Sequence, residues 1–420
     1  MLAAVCDETV PNEKRQLMPH SNNGINLTNK IPLPGNLSSV ASGWERWQEA
    51  ANRSDDDDDQ LFVNDCRSNE SLRPFLDAIF GNSPFLSHTL INDFNITRKV
   101  IEFGTNRAFD EIIETVSDPE LIIKTQNDLM RVLRIARRRC AFSIAIADIS
   151  GQWPLNKIIE ALSMFAERVI STVITYLLHH AAAAGELDLP HPSQPSTESG
   201  LIVLGMGKLG AGELNYSSDV DLILLFEDEK CNYVGKRTAQ EFFNRLARNF
   251  VKILEERTAD GYIFRTDLRL RPDPGSTPPV LSTLAAETYY ETTGQNWERA
   301  AMLKARPIGG DIDAGTQFLD YLRPFIWRQS LDFAAIEDIS SIKRQINTHR
   351  GSSEIAVGGH NVKLGRGGIR EIELYTQIQQ LIWGGRDTTL RTQKTCKALS
   401  LLAFAGHFTS KISDELVQAY

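Results

Sequence analysis

The chain has 420 residues, and its 45 Lys and Arg against 54 Asp and Glu give a formal net charge of −9. This length predicts two to four domains. The 42% share of apolar residues is sufficient for a hydrophobic core and excludes wholesale disorder. The acidic balance disfavours a dedicated nucleic-acid-binding protein, which usually carries a net basic face.

The cysteines and the apolar runs limit where the protein works. The five cysteines lie far apart without a CxxC pair, which disfavours a disulfide framework or a structural zinc site and predicts a reducing cytoplasm. The N-terminal residues reach charge too early for a secretory signal. We find no run of about 18 apolar residues and therefore expect no membrane span.

Two regions precede the informative part of the chain. Residues 1–70 are rich in Asn, Ser, Pro and Asp and include the run Asp55–Asp59, so we expect a partly flexible N-terminal arm. Residues 71–199 predict a helical domain, because apolar residues recur at helical spacing, most clearly over residues 156–184. Within it, Arg131–Arg139 predicts a helix with an arginine-rich solvent face, with a surface for a partner or phosphate as the alternative.

A loop with three prolines at residues 186–200 separates this helical domain from an α/β domain at residues 200–335. Residues 336–420 are again mostly helical. The expected fold is therefore α+β and mostly helical, with a central mixed β-sheet domain flanked by helical domains. The last stretch is helix-like and carries no stop signal, so we expect the chain to be the front part of a longer protein.

The α/β domain has four predicted elements. Apolar runs at Leu201–Leu204 and Asp219–Phe226 predict buried strands, and the apolar spacing over Thr238–Arg257 predicts a helix. Tyr262–Arg271 alternates between apolar and polar residues and predicts a further strand.

The glycines after the first strand allow two interpretations. Gly205, Gly207 and Gly210 spell GxGxxG, and Glu227 follows the next strand, as in a dinucleotide-binding fold. However, only eight residues separate Gly210 from Asp219. A crossover to a parallel strand needs about a dozen residues or more, so the dinucleotide interpretation fails.

The second interpretation is a metal site for phosphoryl chemistry. Asp219 and Asp221 are two residues apart on one strand and therefore point to the same face. Carboxylate oxygens are the ligands that Mg²⁺ prefers, and paired metal ions suit an in-line displacement at phosphorus. The glycine turn allows backbone amides to approach phosphate oxygens.

A third carboxylate is expected from the strand at Tyr262–Arg271. Asp267 shares the polar face of that strand with three arginines, Arg265, Arg269 and Arg271. Like charges crowded on one face are unfavourable in a structural strand, whereas guanidinium groups beside metals and phosphates bind oxygens in pairs. The alternative is a solvated edge strand with salt-bridged arginines.

These features resemble the nucleotidyltransferase superfamily of polymerase β-like and kanamycin nucleotidyltransferase-like enzymes. That superfamily often has Ser after the motif glycine, where this chain has Lys208. The segments GMGKLGAGELNYSSDVDLILLF, FRTDLRLRPDPGS and LGRGGIREIE more closely resemble the bifunctional glutamine synthetase adenylyltransferase/adenylyl-removing enzymes, over about residues 75–420. Because Asn215–Ser218 matches the N-terminal of the two catalytic copies in that family, the resemblance implies the adenylyl-removing half.

The resemblance also implies a reaction and its partners. Inorganic phosphate attacks the adenylyl-tyrosine of glutamine synthetase and releases ADP, and the PII signalling protein is a further partner. One or two Mg²⁺ ions are expected on the three catalytic aspartates, Asp219, Asp221 and Asp267. The expected nucleotide and phosphate ligands are Gly207, Lys208, Ser218, Arg269 and Arg271, and the residues expected on a helix facing the cleft are Arg370, Glu371 and Glu373.

Three alternatives stay open. The chain could transfer AMP or UMP from a nucleoside triphosphate to a protein in the forward direction. It could instead be a non-catalytic regulatory module that binds glutamine synthetase and the PII protein. The glycine-rich stretch Leu364–Gly368 is interpreted either as a plain turn or as a phosphate-binding loop.

Overall fold

A computed structural model describes residues 25, 27, 31–328, 361–363, 365 and 367–420. These residues fall into two compact units. The first unit comprises the described residues up to Ala108 together with Ile149–Gln152, and the second comprises Phe109–Asp148 and the described residues from Trp153 to Tyr420. The elements are mostly helices with one small mixed sheet, which confirms the predicted α+β class.

Short helices build the first unit around an aromatic core. The side chains of Trp44 and Trp47 are buried, and their ring centroids lie 5.5 Å apart. The helices are α1 (Leu37–Asn52), α2 (Asp57–Ser68), α3 (Arg73–Asn82), α4 (Pro84–Asn92) and α5 (Phe94–Arg98), followed by a π-helical turn at Lys99–Phe103 and by α6 (Thr105–Val116), whose residues from Phe109 onward belong to the second unit.

The partly flexible arm expected at residues 1–70 includes two helices, α1 and α2, and most of residues 1–30 lie outside the described residues. The acidic run starts α2, because the Asp56 side chain accepts the backbone N–H of Asp58 and the acidic first turn is favoured by the helix dipole. Asp59 is buried and accepts a hydrogen bond from Nη2 of Arg98 at 2.7 Å. The domain boundaries expected at residues 71 and 200 stay predictions, and the one at residue 336 lies outside the described residues.

Two long helices precede the sheet in the second unit, α7 (Gln126–Ile149) and α8 (Leu155–Ala183), after a 3₁₀ turn at Pro119–Ile123. By length and composition alone, α8 is long and apolar enough to cross a membrane, as no other helix among the described residues is. Its apolar side chains, such as Val169 and Val173, are buried inside the protein. This burial is the behaviour of a core helix and accounts for the composition.

The arginines of α7 form the predicted solvent face only in part, because Arg131 is exposed but Arg134 is buried. Arg134 is only 1% exposed, and its guanidinium donates to the carbonyl oxygens of Met130, Ile253, Glu256 and Gly261. Arg137–Arg139 are half-buried. The arginine-rich stretch therefore includes a structural arginine that ties α7 to residues 253–261.

The sheet has the strand order β3-β2-β1-β5, and β4 also pairs with β2. β1 is antiparallel to β2 and β5, whereas β2 is parallel to β3 and β4. The strands are β1 (Leu201–Gly205), β2 (Val220–Phe226), β3 (Thr266–Asp267), β4 (Val280–Ser282) and β5 (Arg306–Gly310). Because β1 and β2 are antiparallel neighbours, no crossover helix joins them, and the rejection of the dinucleotide interpretation is confirmed.

The strand predicted at Tyr262–Arg271 is reduced to the two residues of β3. On its N-terminal side, the N–H groups of Ile263 and Phe264 bond to the carbonyl oxygen of Leu254 and not to a strand. On its C-terminal side, the Asp267 carboxylate accepts the N–H of Arg269 at 2.8 Å. Such a side-chain turn competes with continued strand pairing, so the strand ends there.

The remaining helices cover the sheet. The predicted helix at Thr238–Arg257 is α10, which begins with a capping box between Thr238 and Glu241. Apolar residues of β1 and β2 form one core with α11 to α15, and Leu381 contributes to it from α15. The helices are α9 (Gly207–Ala211), α10 (Ala239–Glu255), α11 (Thr283–Thr292), α12 (Asn296–Met302), α13 (Ile312–Tyr321), α14 (Arg323–Ile326), α15 (Ile369–Trp383), α16 (Thr395–Phe404) and α17 (Ser410–Ala419), with a 3₁₀ turn at Thr388–Leu390.

Candidate active site

The three predicted aspartates meet at one end of β2. Asp221 and Asp267 are register partners on the parallel strands β2 and β3, and Asp219 immediately precedes β2. Burial and the neighbouring carboxylates of Asp267 and Asp219 raise the pKa of Asp221 to about 6, because all three disfavour its ionised form. The structure therefore brings the carboxylates together, and their catalytic role stays a prediction.

The motif glycine lies against this cluster. Gly207 has a φ of +54°, and a Cβ atom at this position would lie 2.7 Å from Oδ2 of Asp221. The N–H of Met206 donates to the Asp221 carbonyl oxygen at 2.9 Å. The sequence GMGK is thus needed to start α9 directly beside the second aspartate. Gly210 also lacks room for a side chain, because a Cβ atom there would overlap the carbonyl oxygens of Gly205 and Lys304.

Two arginines pair with the outer aspartates. Nε of Arg265 donates to Oδ1 of Asp219 at 2.5 Å, and its Nη2 donates to the Ser217 carbonyl oxygen at 2.8 Å. Arg269 binds Asp267 through Nε and Nη2, and this pairing lowers the pKa of Asp267. The side chain of Arg269 is 83% exposed, so it can exchange this partner for a ligand. Arg265 lies on the expected polar face but was missed as a site residue.

The carboxylates fit a divalent cation by their chemistry. Within the described ranges, no group of three or more His, Cys, Asp or Glu side chains is arranged to hold a metal ion as the side chains now stand. Asp219 and Asp267 are instead neutralised by Arg265 and Arg269. Burial and then the two neighbouring carboxylates raise the pKa of Asp221, and Mg²⁺ would relieve the repulsion among these three hard oxygen donors. Magnesium binding stays a prediction.

An open cavity of about 590 Å³ adjoins Asp219 and Asp267. Glu255, in its wall, accepts both the N–H and the Oγ1 hydroxyl of Thr266 at 2.6 Å and so fixes β3. No sequence pattern marked Glu255 as a site residue, because it is the last residue of an amphipathic helix, α10 (Ala239–Glu255). The cavity is lined by Asp219, Val251, Glu255, Arg257, Tyr262, Arg265, Thr266, Asp267, Leu268 and Arg269.

Two of the expected phosphate ligands have local structural partners. Oγ of Ser218 accepts the N–H of Asn215 at 3.1 Å and shapes the turn before Asp219. Arg271 donates four of its five N–H groups to carbonyl oxygens of its own loop, those of Leu268, Pro274, Thr277 and Pro278. Phosphate binding by Arg271 stays a prediction and would require these bonds to be exchanged.

The residues expected on a helix facing the cleft lie in the first two turns of α15. The side chain of Arg370 is exposed, and Oε2 of Glu371 accepts the N–H of Gly367 at 2.9 Å. Oε1 of Glu373 accepts hydrogen bonds from Nζ of Lys304 at 3.1 Å and from the Tyr420 hydroxyl at 3.0 Å. Glu373 therefore belongs to a largely buried polar group with Lys304 and Tyr420.

The glycine-rich stretch before α15 brings one further cation to the site. The positive charge of Lys363 offsets part of the rise in the pKa of Asp221, and the Lys363 carbonyl oxygen accepts the N–H of Arg370 at 3.2 Å. The sequence reasoning missed Lys363, although it directly precedes the conspicuous LGRGG. Leu364 and Arg366 lie outside the described residues, so the choice between turn and phosphate loop stays open.

Comparisons with known proteins identify the family. The model of the glutamate-ammonia ligase adenylyltransferase family matches residues 75–321, and that of the GlnD PII-uridylyltransferase family matches residues 340–420. A bifunctional glutamine synthetase adenylyltransferase/adenylyl-removing enzyme from Rhizobium meliloti (strain 1021) is 48% identical over 358 residues, covering 84% of this chain and 36% of the relative.

Similarly named relatives give the same result. The enzyme from Rhodopseudomonas palustris (strain ATCC BAA-98 / CGA009) is 45% identical over 349 residues, covering 83% of this chain and 35% of its own. The enzyme from Brucella suis biovar 1 (strain 1330) is 46% identical over 347 residues, covering 82% of this chain and 35% of the relative. The chain thus spans about a third of the length of the curated relatives it matches. With a family model matched over more than half of its residues, the chain belongs to the glutamate-ammonia ligase adenylyltransferase family.

Proposed function

We propose that this chain removes AMP from the adenylyl-tyrosine of glutamine synthetase by phosphorolysis. The observation that carries the proposal is the convergence of Asp219, Asp221 and Asp267 beside Gly207. The relatives are named for both adenylyl transfer and adenylyl removal. The segment Asn215–Ser218 resembles the copy that performs removal, which favours that direction for this chain.

The proposed reaction breaks one bond and forms one. An oxygen of inorganic phosphate attacks the phosphorus of the adenylyl group and becomes the bridging oxygen of ADP. The bond from phosphorus to the tyrosine oxygen breaks, and the departing phenolate takes a proton from water. A phenolate with a pKa of about 10 is a better leaving group than an alkoxide, so no covalent enzyme intermediate is needed.

The chain's own side chains have distinct tasks in this reaction. Asp219, Asp221 and Asp267 would hold Mg²⁺, which supplies positive charge for the oxygens at the reacting phosphorus. Arg269, exposed and bound only to Asp267 among the described side chains, would turn to an anionic oxygen once a cation neutralises that aspartate. Arg265 would keep Asp219 aligned through its second bond to the Ser217 carbonyl oxygen.

The test is ADP release from adenylylated glutamine synthetase with and without inorganic phosphate. We expect release only with phosphate, and a fall on the order of 10²-fold or more in the double variant Asp219→Asn/Asp221→Asn. The control Asp228→Asn removes an exposed aspartate just beyond the same strand and should leave the rate unchanged. Near-normal turnover in the double variant would refute the assignment.

The alternatives give different products in the same assay. Forward transfer would consume ATP with unmodified glutamine synthetase and release pyrophosphate, independently of phosphate. A non-catalytic module would bind neither Mg²⁺ nor ADP in calorimetry. The match of residues 340–420 to a PII-uridylyltransferase family supports the PII signalling protein as a regulatory partner. Adding PII to the ADP-release assay tests this, and an unchanged rate would count against it.

A further inference from the structure

A buried polar network joins Glu213, which closely follows α9, to α15, α16 and Tyr420. Nζ of Lys304 donates to Glu373 at 3.1 Å and to Oγ1 of Thr395 at 3.2 Å, and it lies 3.5 Å from Glu213. The N–H of Thr395 donates to Glu213 at 2.8 Å. The Tyr420 hydroxyl lies 3.0 Å from Glu373 and 3.2 Å from Glu213. We call Glu213, Lys304, Glu373, Thr395 and Tyr420 the lysine-304 network.

The network contains two carboxylates but one ammonium group. Glu213 and Lys304 are each 5% exposed. A buried carboxylate is costly unless a cation or several hydrogen bonds compensate it. Lys208 is the second cation: although burial opposes ionisation, the charges of Lys304 and Lys208 lower the pKa of Glu373. The motif lysine thus completes the charge balance of the network.

Lys208 nevertheless keeps its hydrogen-bonding capacity. Its Nζ lies 5.6 Å from the centroid of the Tyr420 ring, a cation–π contact. Among the described side chains, no carboxylate accepts a hydrogen bond from this ammonium group, which is half-buried. Three N–H donors therefore remain for a ligand. A lysine serving only the network would be expected to donate to Glu373 directly, as Lys304 does.

The position of Lys208 links the network to the aspartates. Lys208 follows Gly207, which lies against Asp221. The positive charge of Lys363 contributes to the pKa of both Lys208 and Asp221, so both side chains lie within its electrostatic reach. Lys208 therefore lies at the boundary between the buried network and the open aspartate site.

We propose that Glu373 and Tyr420 are positioning residues, which hold the Lys208 ammonium at the edge of the aspartate site where it binds a nucleotide phosphate. The proposal builds on the proposed function in one respect: the site must bind a nucleotide. The positioning role goes beyond the proposed function, because it makes α15 and Tyr420 part of the phosphate site. Both lie in the region matched to a second family.

A double-mutant cycle on ADP affinity tests this proposal in the full chain with Mg²⁺, by isothermal titration calorimetry. We expect Lys208→Ala to weaken ADP binding about tenfold to a hundredfold, the usual effect of losing a charged hydrogen bond. Glu373→Gln should weaken it about threefold to tenfold in the wild-type background. In the Lys208→Ala background, Glu373→Gln should have no further effect, because it acts through Lys208.

A second variant and a control separate positioning from folding. Tyr420→Phe keeps the ring and removes only the hydroxyl bonded to Glu373 and Glu213, so it tests the proposal where Glu373→Gln fails to fold. Its effect on ADP affinity should also vanish in the Lys208→Ala background. Glu167→Gln breaks an ion pair with Arg306, which donates to the Gly210 carbonyl oxygen at the other end of α9. It should lower the melting temperature and leave ADP affinity unchanged.

Each outcome decides between explanations. Additive losses from Glu373→Gln and Lys208→Ala, unchanged ADP affinity in Lys208→Ala, or no ADP binding by the wild type would each overturn the proposal. If the effects of the two substitutions on ADP affinity are non-additive but the protein shows no phosphate-dependent ADP release, the positioning role is retained and the proposed reaction is refuted. Phosphate-dependent release with an additive cycle would refute the positioning role alone.

Discussion

Replacing Gly207 with alanine should remove activity at a modest cost in stability. Gly207 has a φ of +54°, and an L-residue in the left-handed region costs about 1–2 kcal/mol. The new Cβ atom would lie 2.7 Å from Oδ2 of Asp221, about 0.7 Å short of an ordinary van der Waals contact. A shift of this size in a catalytic carboxylate lowers turnover on the order of 10²-fold.

Gly212→Ala is the matched control for this prediction. Gly212 ends the same helix with a φ of +68°, and a Cβ atom there would meet nothing within 4 Å. Both variants should therefore lose about the same free energy of unfolding, measured by urea titration. Only Gly207→Ala should lose phosphate-dependent ADP release. Equal activity in the two variants would refute the role assigned to the contact between Gly207 and Asp221.

Three further predictions concern charged residues. In metal-free buffer, Asp221→Asn should raise the free energy of unfolding at pH 7 by up to about 3 kcal/mol, because the wild-type protein loses stability as pH rises through the folded-state pKa of about 6. The gain should vanish at about pH 3, below the unfolded-state pKa, and urea titrations at the two pH values measure it. Arg134→Met should cost about 3 kcal/mol or more in urea titrations, because it leaves buried carbonyl oxygens without their donor, and a loss below about 1 kcal/mol would contradict that account. Arg271→Met should lower the melting temperature by opening its loop, whereas Arg269→Met should lower turnover at an unchanged melting temperature; a reversed pattern would show that their tasks are exchanged.

The sequence predicted the parts of the site that depend on local pattern. The short apolar run at Leu222–Phe226 predicted a buried strand, and period-two alternation then placed Asp219 and Asp221 on one face. The short spacing between Gly210 and Asp219 excluded a crossover to a parallel strand, and the antiparallel pairing of β1 with β2 confirms that exclusion. Asp267 could be predicted as a site residue because it is an acidic residue among arginines on a segment that alternates between apolar and polar residues.

The sequence could not predict which charged residues are buried. Glu213 and Thr395 are separated by 182 positions, and only the tertiary fold places them in contact. Arg271 and Arg269 look alike in the pattern, yet one is bonded to its own loop and the other is exposed. The acidic run at Asp55–Asp59 was interpreted by composition, whereas helix capping and the buried pairing with Arg98 decide its structure.

The central claim is that three carboxylates from β2, β3 and the residue before β2 form one divalent-cation site. The most direct measurement is Mn²⁺ binding followed by electron paramagnetic resonance, with Mg²⁺ as competitor. The account predicts that wild-type protein binds Mn²⁺ competitively with Mg²⁺, and that Asp219→Asn, Asp221→Asn and Asp267→Asn each weaken binding at least tenfold. Equal Mn²⁺ affinity in the wild type and in all three variants would contradict it.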